Sequence, residues 1–158
     1  MIYCLDVLYS GDTARVACVG FHSWSDDQPS YQKVTTIPGP LEPYVPGQFY
    51  KRELPCLLAA LEGLTDIELV VVDSHVWVGD KMPGLGAKLH AKINVPVIGV
   101  AKTKYLDAPV VEVLRGEATN PLYVDAVGVD NAPDLVKLMA GPFRIPTLLK
   151  LADSLSRT

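Results

Sequence analysis

The chain reads as a mixed α/β sheet, an antiparallel meander followed by parallel strands, flanked by helices. Three observations predict it. A buried apolar run, Ile2 to Tyr9, and a run rich in Val, Ala and Cys, Thr13 to Phe21, are separated only by the turn residues Ser10-Gly11-Asp12, which is a hairpin pattern. The aliphatic run Ile67 to Val72 has the unbroken character of a strand covered on both faces. A helical segment then separates that run from a second buried one, and strand–helix–strand at this spacing implies a parallel, right-handed crossover.

The remaining elements follow in order. Ser23 to Ser30 is a polar connection, and Tyr31 to Ile37 suits a third, shorter strand that completes the meander. Phe49 to Leu64 is expected to be helical, because Leu54, Leu57, Leu58, Leu61 and Leu64 recur at three- and four-residue spacing. Pro83 to Ile93 is expected as a helix, Pro96 to Ala101 as a buried strand, and Val110 to Leu114 and Leu122 to Val127 as late strands. Asn131 to Met139 and Pro146 to Ser156 read as closing helices, with Asn131 as a cap and Pro133 in the first turn. This order is of the ribonuclease-H-like type. No repeat, low-complexity tract or linker interrupts it, so residues 1–158 are expected to form a single domain.

Composition narrows the function classes. With 49% hydrophobic and 20% charged residues the balance is that of a globular protein. A net charge of -4 argues against coating nucleic acid by bulk charge, while leaving room for a nuclease whose acidic metal cluster lowers the total. Cys4, Cys18 and Cys56 are odd in number, lie in apolar surroundings and lack metal-ligand spacing; a reducing compartment and no structural zinc are expected. Met1 runs directly into an apolar strand without a basic leader, and no apolar run has the length of a bilayer span; a cytoplasmic protein is expected.

The chain is organised around the stretch from Pro43 to Pro55. Pro43 and Pro46 stiffen a loop that presents Tyr44 and Val45, Gly47 permits a turn or a close approach to a ligand, and Glu53 sits early in the helix that follows. A rigid aromatic loop leading into a carboxylate suits a planar, anionic ligand such as nucleic acid. Three further carboxylates lie where a packed chain would not normally put them. Asp6 interrupts an apolar strand, Asp73 ends the most hydrophobic one, and Asp153 is flanked by Leu151, Ala152 and Leu155. Carboxylates gathered at one sheet edge repel one another unless a divalent cation neutralises them. Mg²⁺, with Mn²⁺ as a substitute, takes hard oxygen ligands and substrate phosphates together. Lys102 follows a buried strand at a place suited to phosphate, and His75 lies close to Asp73.

Each residue also has an ordinary structural use. Asp6 fits a hydrogen-bonded strand irregularity, Asp73 a cap, Glu53 a helix first turn, and Asp153 a solvated terminal helix. Lys102 fits a solvated strand end, His75 a structural imidazole, and the Pro43–Gly47 loop a plain connection.

Taken together the residues resemble the endonuclease V family (deoxyinosine 3'-endonuclease-like). The likeness rests on Asp6, on Pro43-Tyr44-Val45-Pro46-Gly47 with Arg52-Glu53, and on Val70-Val71-Val72-Asp73-Ser74-His75. It continues through Gly84-Leu85, Pro96-Val97-Ile98-Gly99-Val100-Ala101-Lys102, Pro121-Leu122-Tyr123-Val124 and Arg144-Ile145-Pro146 to Asp153. The resemblance implies Mg²⁺-dependent cleavage of nucleic acid, DNA or RNA, near a deaminated base, typically inosine. Asp6, Glu53 and Asp73 would hold the metal, with Asp153 auxiliary; Tyr44 and its loop would wedge strands apart, and Lys102 would hold phosphate. The sequence departs from the family's usual Asp-Gly-His-Gly, reading Asp73-Ser74-His75-Val76. Gly79 and Lys88 stand at histidine positions, and Gly128-Val129 replaces a Gly-His pair. The expectation is a compact, diverged member that keeps the carboxylates better than the base-reading backbone. No membrane contact is expected, and the sequence is compatible with a monomer. A ribonuclease-H-like nuclease with another substrate, and a non-catalytic nucleic-acid-binding descendant, are the alternatives.

Overall fold

Alternation along the strands decides which side chains meet the helices, and it divides the core in two. The computed structural model describes every residue of 1–158 except Tyr44, Gly47, Phe49 and Leu106. Strands β1 (Ile2–Ser10), β2 (Thr13–Phe21) and β3 (Tyr31–Ile37) form the expected antiparallel meander. Gly11, at φ +59°, supplies the left-handed turn residue between the first two. Helix α1 (Tyr50–Leu61) follows, then β4 (Leu69–Val72), a small hairpin of β5 (Trp77–Gly79) and β6 (Met82–Pro83), α2 (Leu85–Ile93) and β7 (Val97–Ala101). Strands β8 (Val111–Val113) and β9 (Leu122–Val127) and helices α3 (Ala132–Leu138) and α4 (Thr147–Ser156) complete the chain.

The main sheet has seven strands in the order β3-β2-β1-β4-β7-β9-β8. β1, β4 and β7 are parallel neighbours, so the crossover through α2 is as the spacing requires, while β9 and β8 return antiparallel. One face buries Tyr3, Leu5, Val70, Val72 and Val97 under Leu57, Leu61, Leu85 and Leu89 of α1 and α2. The other buries Ile2, Cys4, Val71, Ile98 and Val100 under Val136, Leu148 and Ala152 of α3 and α4. The three cysteines are free and buried. Among the described residues no helix is long and apolar enough to cross a membrane.

Several elements differ from the sequence expectation. α2 begins at Leu85 rather than Pro83, because Met82 and Pro83 pair back onto Trp77 and Gly79. α1 closes at Leu61, where Gly63, at φ +83°, turns the chain out of the helix. Asn131 occupies the N-terminal cap position of α3, but its side chain makes no capping hydrogen bond; Pro133 does lie in the first turn.

Candidate active site

The same alternation that sorts the core carries three polar side chains to one rim. Asp6 is two residues beyond Cys4, Asp73 two beyond Val71, and Lys102 two beyond Val100, all of which face α4. Since side chains of one strand repeat on a face every second residue, Asp6, Asp73 and Lys102 emerge together at the C-terminal ends of the parallel strands. Sites of open α/β sheets form at this edge. The cleft there, on the α4 side, is lined by Asp6, Asp73, Lys102, Lys150 and Asp153. A second cleft, on the α1 side, is lined by Asp6, Asp73 and Glu53. Asp6 and Asp73 thus form the ridge common to both, with α1 bringing Glu53 from one face and α4 bringing Asp153 from the other.

The charges in this arrangement are unequal. Burial pushes the Asp6 carboxyl up to about 7, reinforced by the charges of Asp73 and Asp153 and by hydrogen bonding with Asp153; the Val7 N–H, 3.0 Å away, pulls weakly the other way. Burial likewise raises Glu53 to about 7, with Asp6 and Asp73 adding to the effect and Arg52 opposing it. Arg52 is engaged elsewhere, its guanidinium lying 3.8 Å from the centre of the Tyr9 ring. Asp73 keeps 38% of its side chain open to solvent, yet desolvation is still the largest influence and raises its carboxyl. Lys102, with its Nζ 4.0 Å from Asp73 Oδ2, opposes the shift. For Asp153 burial also acts upward, but it is outweighed. Arg157 Nε at 3.1 Å and Lys150 Nζ at 3.3 Å hold its carboxyl below the ordinary range.

Other sequence-selected residues lie outside this group. The His75 imidazole turns toward the segment after β7, its Nε2 3.0 Å from the Thr103 carbonyl and 3.2 Å from the Tyr105 N–H. One tautomer donates to the carbonyl and the other accepts from the amide. Pro43, Val45 and Pro46 are exposed. Tyr44 and Gly47 fall outside the described residues, so the aromatic part of that loop has no described position.

Two positions that sequence reasoning gave no role support the rim. Arg144 donates to the Lys102 carbonyl at 2.6 Å and the Pro121 carbonyl at 2.7 Å, tying the end of β7 to the approach to α4. Asp125, buried in β9, accepts from the Val76 N–H at 2.9 and 3.0 Å and from the Trp77 N–H at 2.8 Å. Burial pushes its carboxyl up even though these bonds favour the ion. A charged residue inside the apolar run of β9 was the available signal, the same signal that singled out Asp6.

Among the described residues no three Asp, Glu, His or Cys side chains are drawn together as a closed metal-ligand shell. The donor chemistry nevertheless fits a hard divalent cation. Mg²⁺ is held through one or two carboxylates and keeps several waters, so the Asp6–Asp73 ridge with Glu53 beside it is sufficient. Burial and the charges of neighbouring carboxylates raise the carboxyls of Asp6 and Glu53, with Arg52 only partly opposing the shift at Glu53, and crowding of this kind is what a bound metal relieves.

The endonuclease V family model matches residues 1–126. The chain is similar to the endonuclease V of Sulfolobus acidocaldarius, at 27% identity over 168 residues, covering 97% of this chain and 79% of that protein. It is similar also to the endonuclease V of Saccharolobus solfataricus, at 32% identity over 126 residues, covering 73% of this chain and 62% of that longer protein. Among solved structures, endonuclease V from Streptomyces avermitilis superposes with a TM-score of 0.77 at 27% identity, covering 99% of this chain and 79% of that one. Endonuclease V from Ciona intestinalis, in complex with a 24-mer DNA containing an inosine followed by a ribo-adenosine, superposes with a TM-score of 0.79 at 20% identity, covering 99% and 83%. The mixed sheet is therefore the ribonuclease-H-like fold of these proteins, and with four-fifths of its length matched by the family model the chain belongs to the endonuclease V family.

Proposed function

We propose that the protein is a metal-dependent endonuclease that hydrolyses a phosphodiester bond of nucleic acid near a deaminated base such as inosine, in DNA repair or RNA processing. One observation carries the reading. Asp6 and Asp73 share a rim with Lys102, Glu53 approaches from one face of the sheet and Asp153 from the other, and on the Glu53 side burial and like charge outweigh Arg52. Family membership supplies the reaction class, and the DNA seen with the Ciona intestinalis protein supplies the substrate class.

Asp6, Glu53 and Asp73 would hold Mg²⁺ or Mn²⁺, which supplies Lewis-acid polarisation of a phosphoryl oxygen and neutralises developing charge. Lys102, half exposed beside Asp73, holds a phosphate oxygen from the solvent side of the cleft. Glu53, raised to about 7 without metal, would give up its proton on binding the ion. Asp153, ionised and fixed by Arg157 and Lys150, sets the local field at Asp6.

The test is cleavage of matched inosine-containing and undamaged oligonucleotides, as DNA and as RNA, with Mg²⁺ or Mn²⁺, by wild type and Asp6→Ala. Cleavage beside inosine that Asp6→Ala loses is the expected result. Wild type that leaves every substrate intact with either metal sinks the reading. A second reading, the same chemistry with a different recognised nucleotide, is favoured by the surroundings of Val76. Its side chain is fully buried against Gly86 and its N–H is committed to Asp125, so neither is open to a base. Equal cleavage of inosine and undamaged strands would select it.

A further inference from the structure

The chain leaving β4 does not continue outward from the sheet. It lies down across β7 and reaches β9, two strands away. Gly99 of β7 pairs with Asp125 of β9, and the segment from Ser74 to Val76 passes directly over them. A Cβ at Gly99 would meet the Ser74 carbonyl oxygen, lie 2.5 Å from Asp125 Oδ1 and 2.9 Å from the Val76 nitrogen. Such a crossing exists only with glycine beneath it.

Both backbone groups of Val76 are paired, and so are the Trp77 N–H and the His75 carbonyl beside it. The N–H groups of Val76 and Trp77 go to Asp125, a residue only 6% exposed. The Val76 carbonyl accepts from Gly84 N–H at 2.8 Å and Ala87 N–H at 3.3 Å, and the His75 carbonyl from Gly86 N–H at 3.3 Å. The Trp77 indole donates to the Ala126 carbonyl at 3.0 Å, next to Asp125. The segment is therefore gripped on one side by β9 and on the other by the first turn of α2, and Asp73 is where it leaves β4.

We infer that Asp125 is a positioning residue for the candidate active site: by capturing the Val76 and Trp77 N–H groups it fixes the path of the chain after β4, and so aims Asp73 into the rim beside Asp6 and Lys102. This rests on the endonuclease reading. Asp125 does not touch the site; it acts through the backbone. An asparagine has the same shape but turns a donor toward donors, so Asp125→Asn loosens the crossing without emptying the space. Gly99→Ala keeps the carboxylate's chemistry but crowds it, the Ser74 carbonyl and the Val76 nitrogen from below, so the two substitutions should share a phenotype.

Amide hydrogen exchange, Mn²⁺ titration and steady-state cleavage test this on the full chain. In wild type the Val76 and Trp77 amides are expected to be protected well beyond exposed loops. Asp125→Asn and Gly99→Ala should speed their exchange, weaken Mn²⁺ binding by about tenfold or more, and lower kcat by about tenfold or more with KM nearly unchanged. A merely structural residue would lower stability and leave metal affinity and kcat of the folded fraction alone. Wild-type amides that exchange like an exposed loop overturn the inference without any variant, as does a folded Asp125→Asn with wild-type Mn²⁺ affinity. If wild type neither cleaves nor binds Mn²⁺, the endonuclease reading falls on its own account. Asp125 is then judged by exchange: protection that Asp125→Asn releases supports the clamp, and unprotected amides end it.

Discussion

The two sides of the rim hold the same kind of group in opposite electrical states. On the α4 side Asp153 is met by Arg157 and Lys150, and its carboxyl is held below the ordinary range. On the α1 side Arg52 opposes the shift of Glu53, but that guanidinium is stacked on Tyr9, and burial with the charges of Asp6 and Asp73 pushes the carboxyl up to about 7. Asp6, on the ridge between, is pushed as far as Glu53. The outer acid is thus held ionised by two cations, while burial and like charge outweigh the cations near the inner ones. A carboxylate satisfied by lysine and arginine has little to offer an ion, whereas uncompensated ones gain most from it. On the proposed reading the ridge and Glu53 would hold the metal, and Asp153 would be accessory.

Substitutions can break this asymmetry, and the largest effect belongs to the ridge. Asp6→Ala or Asp73→Ala should lower cleavage by about a thousandfold or more, because several kcal/mol of charge stabilisation go with the metal. Glu53→Gln should cost about a hundredfold and weaken Mn²⁺ binding, measured by titration calorimetry. Asp153→Asn should cost only about tenfold, with Mn²⁺ affinity little changed. Equal losses of Mn²⁺ affinity at Glu53 and Asp153 would erase the distinction between the two sides.

Acidity sharpens the same contrast. Asp6 and Glu53 have folded pKa values of about 7 against unfolded values of about 4, so between these limits the folded state binds more protons. Stability of the metal-free protein should therefore fall as pH rises from about 4 to 7, read as a declining Tm. Mn²⁺ should flatten the slope and bind more tightly at the upper end, where its ligands are deprotonated. Asp153 has the opposite sign. Its carboxyl is lowered, so its contribution is present above about pH 4 and lost only as pH falls through the lower folded value. A metal-free Tm that rises across the neutral range would contradict the assignment. Smallest of all, Lys150→Ala should change cleavage by less than about threefold, since an exposed pair contributes little and Arg157 remains.

The meander, the parallel crossover and the ridge were legible because each rests on short-range pattern. The apolar run around Asp6 and the strand ending in Asp73 announce buried acids without any tertiary information. The hairpin of Trp77 to Pro83 was not legible. It is held by contact with α2 and β9 rather than by a turn motif, so Met82 and Pro83 read as the start of a helix. Asn131 shows the reverse case, a good capping residue at the right place whose side chain bonds nothing in the helix. Asp125 sits in a β-strand pattern as plainly as Asp6 does. Its purpose lies 49 residues away in the chain, at Val76, and no local rule reaches that far.

The sequence by itself determined the strands, their apolar faces, the placing of acids within or at the end of apolar strands, and the family. These follow from side-chain periodicity and from the cost of burying a charge, which act between near neighbours. Tertiary structure alone decided that α1 and α4 bring Glu53 and Asp153 to opposite faces of one ridge, that cations outweigh burial at the outer acid but not at the inner ones, and that β9 grips the chain beyond Asp73. Those depend on which distant segments the sheet order sets side by side, and electrostatic state follows from that proximity rather than from residue type.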